Sequence, residues 1–307
     1  MTDTVLAIKV DVDTDRGTRV GVPKLLALLR EFDIRATFLF SLGPDNTGRA
    51  IKRIFRPGFF GKVARTNVVG MYGLRTLLNG VLLPGPHIGQ RNAEVLRTTR
   101  AAGHEVGIHC YDHIRWQDGL AGMRRAQVFA EFDKARAEFA RIFGVPAQTA
   151  GAAGWQANAY SLAAYDAADL LYASDGRGTH PFFPRAEGVV YKTLQIPSTL
   201  PTLDELMGRA EYPENRIVDH YLSLLKPGQL NVLTIHAEIE GMQKRELFRA
   251  LLLRSRAAGV QFAVLRDVAQ SLLQERASIA VCDLLAGEVD GRSGTLALQH
   301  CPAGEQQ

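Results

Sequence analysis

Two histidines stand four positions apart in GIHCYDH, His109 and His113, directly after the apolar Val106 and Ile108 and where a strand runs out. A helical turn over 109–113 puts both imidazoles on one side, close enough to grip one ion. Two further polar clusters also sit at the ends of expected strands. One is VDVDTDRGT, with Asp11, Asp13 and Asp15; the other is LTIHAEIEG, with His236 and Glu238. Alternation along an extended 5–12 segment places Asp11 and Asp13 on one face. Two such carboxylates repel unless a cation or a shared proton relieves them. One carboxylate with two histidines is a three-ligand set that leaves positions for water and substrate, the mark of a catalytic rather than a closed structural site.

Each cluster alone has a plainer reading. A His pair at this spacing arises often by chance. Asp13 and Thr14 suit a solvated turn or a helix cap, and His236 suits a satisfied core histidine. All three together favour a site, because the carboxyl ends of parallel strands line the ligand crevice in α/β architectures.

The elements that must position them alternate along the chain. Residues 5–12 (VLAIKVDV) predict a β-branched strand, 22–31 (VPKLLALLRE) a helix with Pro23 in its first turn, and 35–41 (RATFLFS) a second strand. The pattern resumes with helix 91–102, strand 104–109, helix 123–143 and short strands near 148–151 and 170–173. Strand 230–236, helix 242–258 and strand 260–264 close the series. Such alternation predicts a parallel α/β barrel or a doubly wound sheet. No repeat of solenoid length is visible. From Ser278 onward the chain reads as a small hairpin.

At 46 % hydrophobic and 22 % charged, the 307 residues are those of a globular protein with a sizeable core. No basic stretch followed by a long apolar run opens the chain, and no spanning segment is evident, so the cytoplasm is the expected compartment. Cys110, Cys282 and Cys301 are odd in number and show no paired spacing, so no disulfide framework is expected.

The strand with Asp11 and Asp13, the pair His109 and His113, and the late Leu233-Thr-Ile-His236 resemble the motifs of the polysaccharide deacetylase family, also called NodB-like or carbohydrate esterase family 4. The stretches VDVDTDRGTRVGVPKLL, FSLGPDNTGR, HEVGIHCYDHIRWQ, AAGWQA, SDGRG, QIPSTLPTLDE and TIHAEIEG extend the likeness, in order, over nearly the whole chain. The resemblance implies a distorted (β/α) barrel with a helical basic insertion at about 44–90, all within a domain of residues 1–275. The hairpin and tail, 276–307, stand outside it. It implies a divalent metal, zinc first with cobalt, manganese or nickel also suited to the donors, held by Asp13, His109 and His113. Asp11 is then the base and His236 the general acid. Here Val12 separates the two aspartates, and Ala152-Ala-Gly-Trp155 stands where many members carry an Arg-Pro pair that supports the base. The longer similarities imply hydrolysis of the formamide of an amino sugar carried on a polyprenyl phosphate, a lipid A modification linked to polymyxin resistance. Trp155 is a candidate wall of the formyl pocket, and Asp175 and Arg177 are candidates to orient the base or a substrate phosphate.

A lipid substrate makes the charge distribution informative. Residues 46–93 contain no acid, whereas Arg49, Lys52, Arg53, Arg56, Lys62, Arg65, Arg75 and Arg91 are all basic. Phe59, Phe60 and other apolar residues interleave with them, as in interfacial helices on an anionic leaflet. Arg49, Lys52, Arg53, Arg56, Phe59, Phe60, Lys62 and Arg65 are therefore expected to dock peripherally on the cytoplasmic face of the inner membrane; a basic helical pair packed on the barrel is the plainer alternative. No nucleic-acid motif accompanies the charge, so no nucleic-acid partner is expected. The functional alternatives are deacetylation of another glycan, of peptidoglycan or chitin type, and non-catalytic binding of a sugar lipid, which has no need of Asp11 or His236.

Overall fold

The first strand, β1, runs over Val5–Val12, and every residue after the first is buried. Its alternation divides the molecule. Leu6, Ile8, Val10 and Val12 join one large apolar core with Leu25, Leu28 and Leu29 of the helix Val22–Glu31. Ala7 joins a separate core with Tyr172, Leu194, Ile196 and Val232. The odd-numbered face of β1 thus looks into the barrel: Ala7 lies at its base, then Lys9 and Asp11 follow, both buried.

The computed structural model describes residues 3–50 and 74–301. Eight strands form one wholly parallel sheet. They are β1, β2 (Thr37–Ser41), β3 (Glu105–Cys110), β4 (Thr149–Ala150), β5 (Tyr172–Ala173), β8 (Leu194–Gln195), β9 (Leu230–His236) and β10 (Gln261–Ala263). β1 is flanked on one edge by β9 and on the other by β10 and then β2, which share that edge end to end. The sheet continues β2-β3-β4-β5-β8. Beyond β8 the chain meets β9, where the Thr199 and Leu200 amides donate to the Val232 carbonyl. This is a curled parallel sheet with helices outside, the distorted barrel expected, and most elements lie within a residue or two of their expected limits.

Register sets the mouth. Asp11 is level with Leu39 on β2 and His236 on β9, and Ile108 is level with Phe40 on one side and Ala150 on the other. Residues just past these positions therefore emerge together at the carboxyl ends.

Four strands form a second sheet, in the order β12-β11-β6-β7: β6 (Phe183–Ala186), β7 (Val189–Val190), β11 (Val281–Gly287) and β12 (Leu296–His300). The expected C-terminal hairpin is β11 and β12, and it pairs with mid-chain β6. The expectation about cysteines is overturned: Cys282 and Cys301 are joined as a disulfide, and Cys110 alone is free and buried. Register explains it, because Asp283 faces His300 across the hairpin, which makes Cys282 and Cys301 the next opposed pair. Their spacing is set by a hairpin turn and so matches no cysteine motif.

His104, just before β3, accepts a hydrogen bond from the Ala36 amide through Nδ1 and stands edge-on to Phe38. Burial, with Arg35 nearby, lowers its pKa from 6.5 to about 4. Between these values the unfolded chain binds more protons than the folded one, so His104 withdraws stability as pH falls from 6.5 towards 4. Urea unfolding of wild type and His104→Asn at successive pH values should show this. Relative to the variant, the wild type should lose about 2–3 kcal/mol by pH 4 and nothing above neutrality.

Candidate metal centre and active site

Asp13 leaves the end of β1 with its Oδ1 atom 3.2 Å from His109 Nε2 and 3.4 Å from His113 Nε2. That oxygen is buried, and no hydrogen bond of ordinary geometry reaches it. Three donors gathered about one tetrahedral ion lie roughly 3.4 Å from each other, so the spacing fits a shared cation. His109 Nδ1 lies 2.8 Å from the Gly151 carbonyl, which can only accept. His109 therefore keeps a proton on Nδ1, which leaves Nε2 turned towards Asp13.

No helical turn spans 109–113, contrary to expectation. His109 lies in β3, and His113 opens the helix His113–Gly119 after a two-residue turn. Asp112 caps that helix by accepting from the Arg115 amide, and its other oxygen accepts from Asn46 Nδ2. The cap sets the angle at which His113 swings back over Asp13. Asn46 belongs to FSLGPDNTGR, whose Asp45 accepts from the Asp15 amide and from Asn79. Asp15 in turn accepts from Asn92, so it braces the mouth.

Glu238 fixes the other side. Its Oε1 accepts from the amides of Asp13 and Thr14 and from the Thr14 hydroxyl, at 3.2, 2.9 and 2.7 Å. Gly17 is required for this approach, since a Cβ there would fall 1.9 Å from Glu238 Oε1. Burial, reinforced by Asp13, pushes the Glu238 carboxyl up to about 8. Burial also raises Asp13, but the His113 and His109 imidazoles, with His236, outweigh it and hold the carboxyl far below its usual range.

The sequence reading missed Lys9. Fully buried, its Nζ lies 3.5 Å from Asp11 Oδ2 and donates to the Ser174 carbonyl. It supplies a cation to Asp11 where the Arg-Pro pair is lacking. The signal was present: a lone lysine in an apolar strand, two positions before Asp11 and on its face. Asp11 Oδ1 is buried and accepts no hydrogen bond, and His236 Nδ1 is equally unpartnered. Burial lowers the His236 pKa, but Asp204, Asp13, Asp11 and Glu240 prevail and raise it.

Trp155 walls this space, its ring edge-on to His236 at 6.4 Å between centroids and its Nε1 donating to Ser198. Its φ of 53° is a left-handed value that a tryptophan rarely takes, a strain typical of functional loops. Arg177 and Arg292 both lie over the ring, at 5.5 and 4.3 Å, and both approach Glu205 Oε1, at 2.7 and 3.4 Å. Two guanidiniums thus share one carboxylate at this wall. Arg292 was also missed. It sits in the turn of the C-terminal hairpin, and nothing local in GEVDGRSGT points to a distant tryptophan. Asp175 lies behind the wall rather than on it. It is fully buried, with its oxygens taken by the Ala152 amide, Tyr165 and Gln195, and burial pushes it up to about 6.

Of the basic insertion, Arg49 is exposed and donates to the Gly80 carbonyl. Lys52, Arg53, Arg56, Phe59, Phe60, Lys62 and Arg65 lie outside the described residues. Later in the same stretch of sequence, Val81, Leu82 and Leu83 are exposed, Leu82 by 75 %. No helix among the described residues is long and apolar enough to cross a membrane.

The family model for polysaccharide deacetylases matches residues 9–173. A probable 4-deoxy-4-formamido-L-arabinose-phosphoundecaprenol deformylase of Shewanella sediminis is 37 % identical over 296 residues, 96 % of this chain and 95 % of that one. A second protein of that description, from Wigglesworthia glossinidia brevipalpis, is 32 % identical over 92 % of this chain and 98 % of its own. The crystal structure of a probable polysaccharide deacetylase from Pseudomonas aeruginosa PAO1 covers 89 % of this chain and 92 % of its own, with a TM-score of 0.59 at 17 % identity, a likeness of fold.

If Asp13, His109 and His113 share one ion, the protein purified without chelator should carry about one divalent metal per chain. Plasma mass spectrometry should show that His113→Ala and Asp13→Ala lose at least about nine-tenths of it, since removing a ligand or its support typically costs 10–100-fold in affinity.

Proposed function

Because the chain belongs to the polysaccharide deacetylase family, we propose that it is an amide hydrolase that removes the formyl group from 4-deoxy-4-formamido-L-arabinose on undecaprenyl phosphate. The products are the free amino sugar lipid and formate, a step of lipid A modification. The observation that carries this reading is the meeting of Asp11, Asp13, His109, His113 and His236 at one barrel mouth, in a chain similar over nearly its whole length to deformylases of that description.

Hydrolysing a formamide needs an activated water, a stabilised oxyanion and a proton for the departing nitrogen. Asp13, His109 and His113 would hold a divalent ion, zinc in our assignment, which would supply Lewis acidity and make a water nucleophilic at neutral pH. Asp11 takes the proton from that water, held in place by Lys9. His236, level with Asp11 on the neighbouring strand, returns a proton to the sugar nitrogen as the C–N bond breaks. Trp155 limits the space beside His236, which suits a formyl group. Arg177 and Arg292 bind the sugar-linked phosphate, whereas the buried Asp175 shapes the Ala152–Trp155 loop from behind.

The lipid is met at the membrane surface. Exposed Val81, Leu82 and Leu83 within the acid-free basic stretch 46–93 support peripheral docking on the cytoplasmic leaflet of the inner membrane. Anionic liposomes should float the protein at low salt. Leu82→Asp with Leu83→Asp, or Glu at Arg53 and Arg56, should reduce flotation several-fold; binding undiminished by either change would sink the docking reading.

Mass spectrometry of the lipid substrate should show loss of the formyl group with wild type, and a rate lower by about 10²–10⁴ with His236→Ala. Lys9→Met should lower kcat by roughly 10² at unchanged metal content, because the base loses its support rather than the ion its ligands. A metal-loaded enzyme that ignored this lipid and deacetylated another glycan would refute the substrate while leaving the site intact.

A further inference from the structure

A second group of ligand-type side chains converges among the described residues, away from the barrel mouth: His180, Cys282 and Cys301. The two cysteines face each other across β11 and β12, and His180 lies on the segment from Arg177 to β6. His180 Nε2 is 3.9 Å from Cys282 Sγ and 3.7 Å from Cys301 Sγ, while its Nδ1 lies 2.9 Å from the Thr179 hydroxyl. An imidazole tied at one nitrogen and aimed with the other is the usual presentation of a ligand. Gln299 fixes the loop that carries it, accepting from the Thr179 amide at 2.7 Å and donating to the His180 carbonyl at 3.1 Å.

We propose that these three side chains form a second metal site gated by thiol redox state: the disulfide closes it, and the dithiol form, with His180, takes a thiophilic divalent ion of the zinc type. Sulfur and imidazole ligands of one zinc lie roughly 3.5 Å apart, near the two distances found. The sulfurs themselves must part to roughly 3.8 Å, which side-chain rotation across an antiparallel pair allows once the S–S bond is broken. The opening step is exchange with a thiol reductant. Two equivalents of thiol become one low-molecular-weight disulfide, and Cys282 and Cys301 become thiols. Both thiol protons pass to solvent as the ion binds the thiolates. Two sulfurs and an imidazole without a carboxylate favour zinc over magnesium or calcium.

Either link has the same mechanical target. β12 bonds to Arg177 through Arg177 N to Ala297 O and Gln299 N to Arg177 O. Closing β12 on the His180 loop, by sulfur or by metal, therefore steadies the strand against which Arg177 stands beside Trp155.

The test uses the full-length protein. Its disulfide form and its anaerobically reduced form are titrated with zinc against a chromophoric chelator, and with cobalt. The reduced form should bind one equivalent more, and cobalt should give an ultraviolet thiolate charge-transfer band that the Asp-His-His centre does not produce. That band should disappear in Cys301→Ser, persist in Cys110→Ser, and need about tenfold more cobalt in His180→Ala. Equal stoichiometry in both redox forms, no thiolate band, or a band that survives Cys301→Ser would overturn the proposal.

Discussion

Ionisable groups buried on a single strand constrain the rest of this structure. β1 carries Lys9 and Asp11 into the interior of the barrel, and it delivers Asp13 at its end. A buried charge is costly unless partners compensate it. Lys9 and Asp11 compensate each other, and the Ser174 carbonyl takes a further Lys9 hydrogen. Asp13 is compensated by two imidazoles, and its backbone is pinned by Glu238. Each partner arrives on a different element, so the strand is satisfied only when β3, β5 and β9 stand in register around it. The demand for charge compensation and the assembly of the reactive centre are the same requirement.

Much of this was legible in short stretches of sequence. Alternation in VLAIKVDV gave the strand and the shared face of Asp11 and Asp13, and strand-end clusters marked the three segments that meet. The local route from His109 to His113 was not legible, because a capped turn and a helical turn present the same spacing. Lys9 was readable by the alternation that marked the aspartates; a lysine in a strand is simply more often a solvated face. Arg292 and the pairing of Cys282 with Cys301 were beyond reach for another reason. Both depend on hairpin register and on docking against mid-chain segments, which no local pattern encodes.

The wall at Trp155 brings together parts of the chain with different constraints. A backbone in an unfavourable conformation holds the ring, Ser198 anchors its nitrogen, and two arginines from distant segments cover it while sharing Glu205. Such an arrangement is rigid because each member is fixed twice. The barrel strands set the reactive groups, and the second sheet sets what lies beside them.

β1 leaves the ribosome long before its partners β9 and β10. The contact between Asp13 and Glu238 spans 225 positions. At synthesis rates of roughly 5–20 residues per second, one edge of β1 waits about 10–45 s for its neighbour. During that interval a strand of alternating apolar and charged residues is unpaired and open to wrong partners. The decisive step in folding this barrel therefore waits for β9, and the nascent chain depends on the early β1-β2-β3 unit, or on chaperones, to keep that edge covered until then.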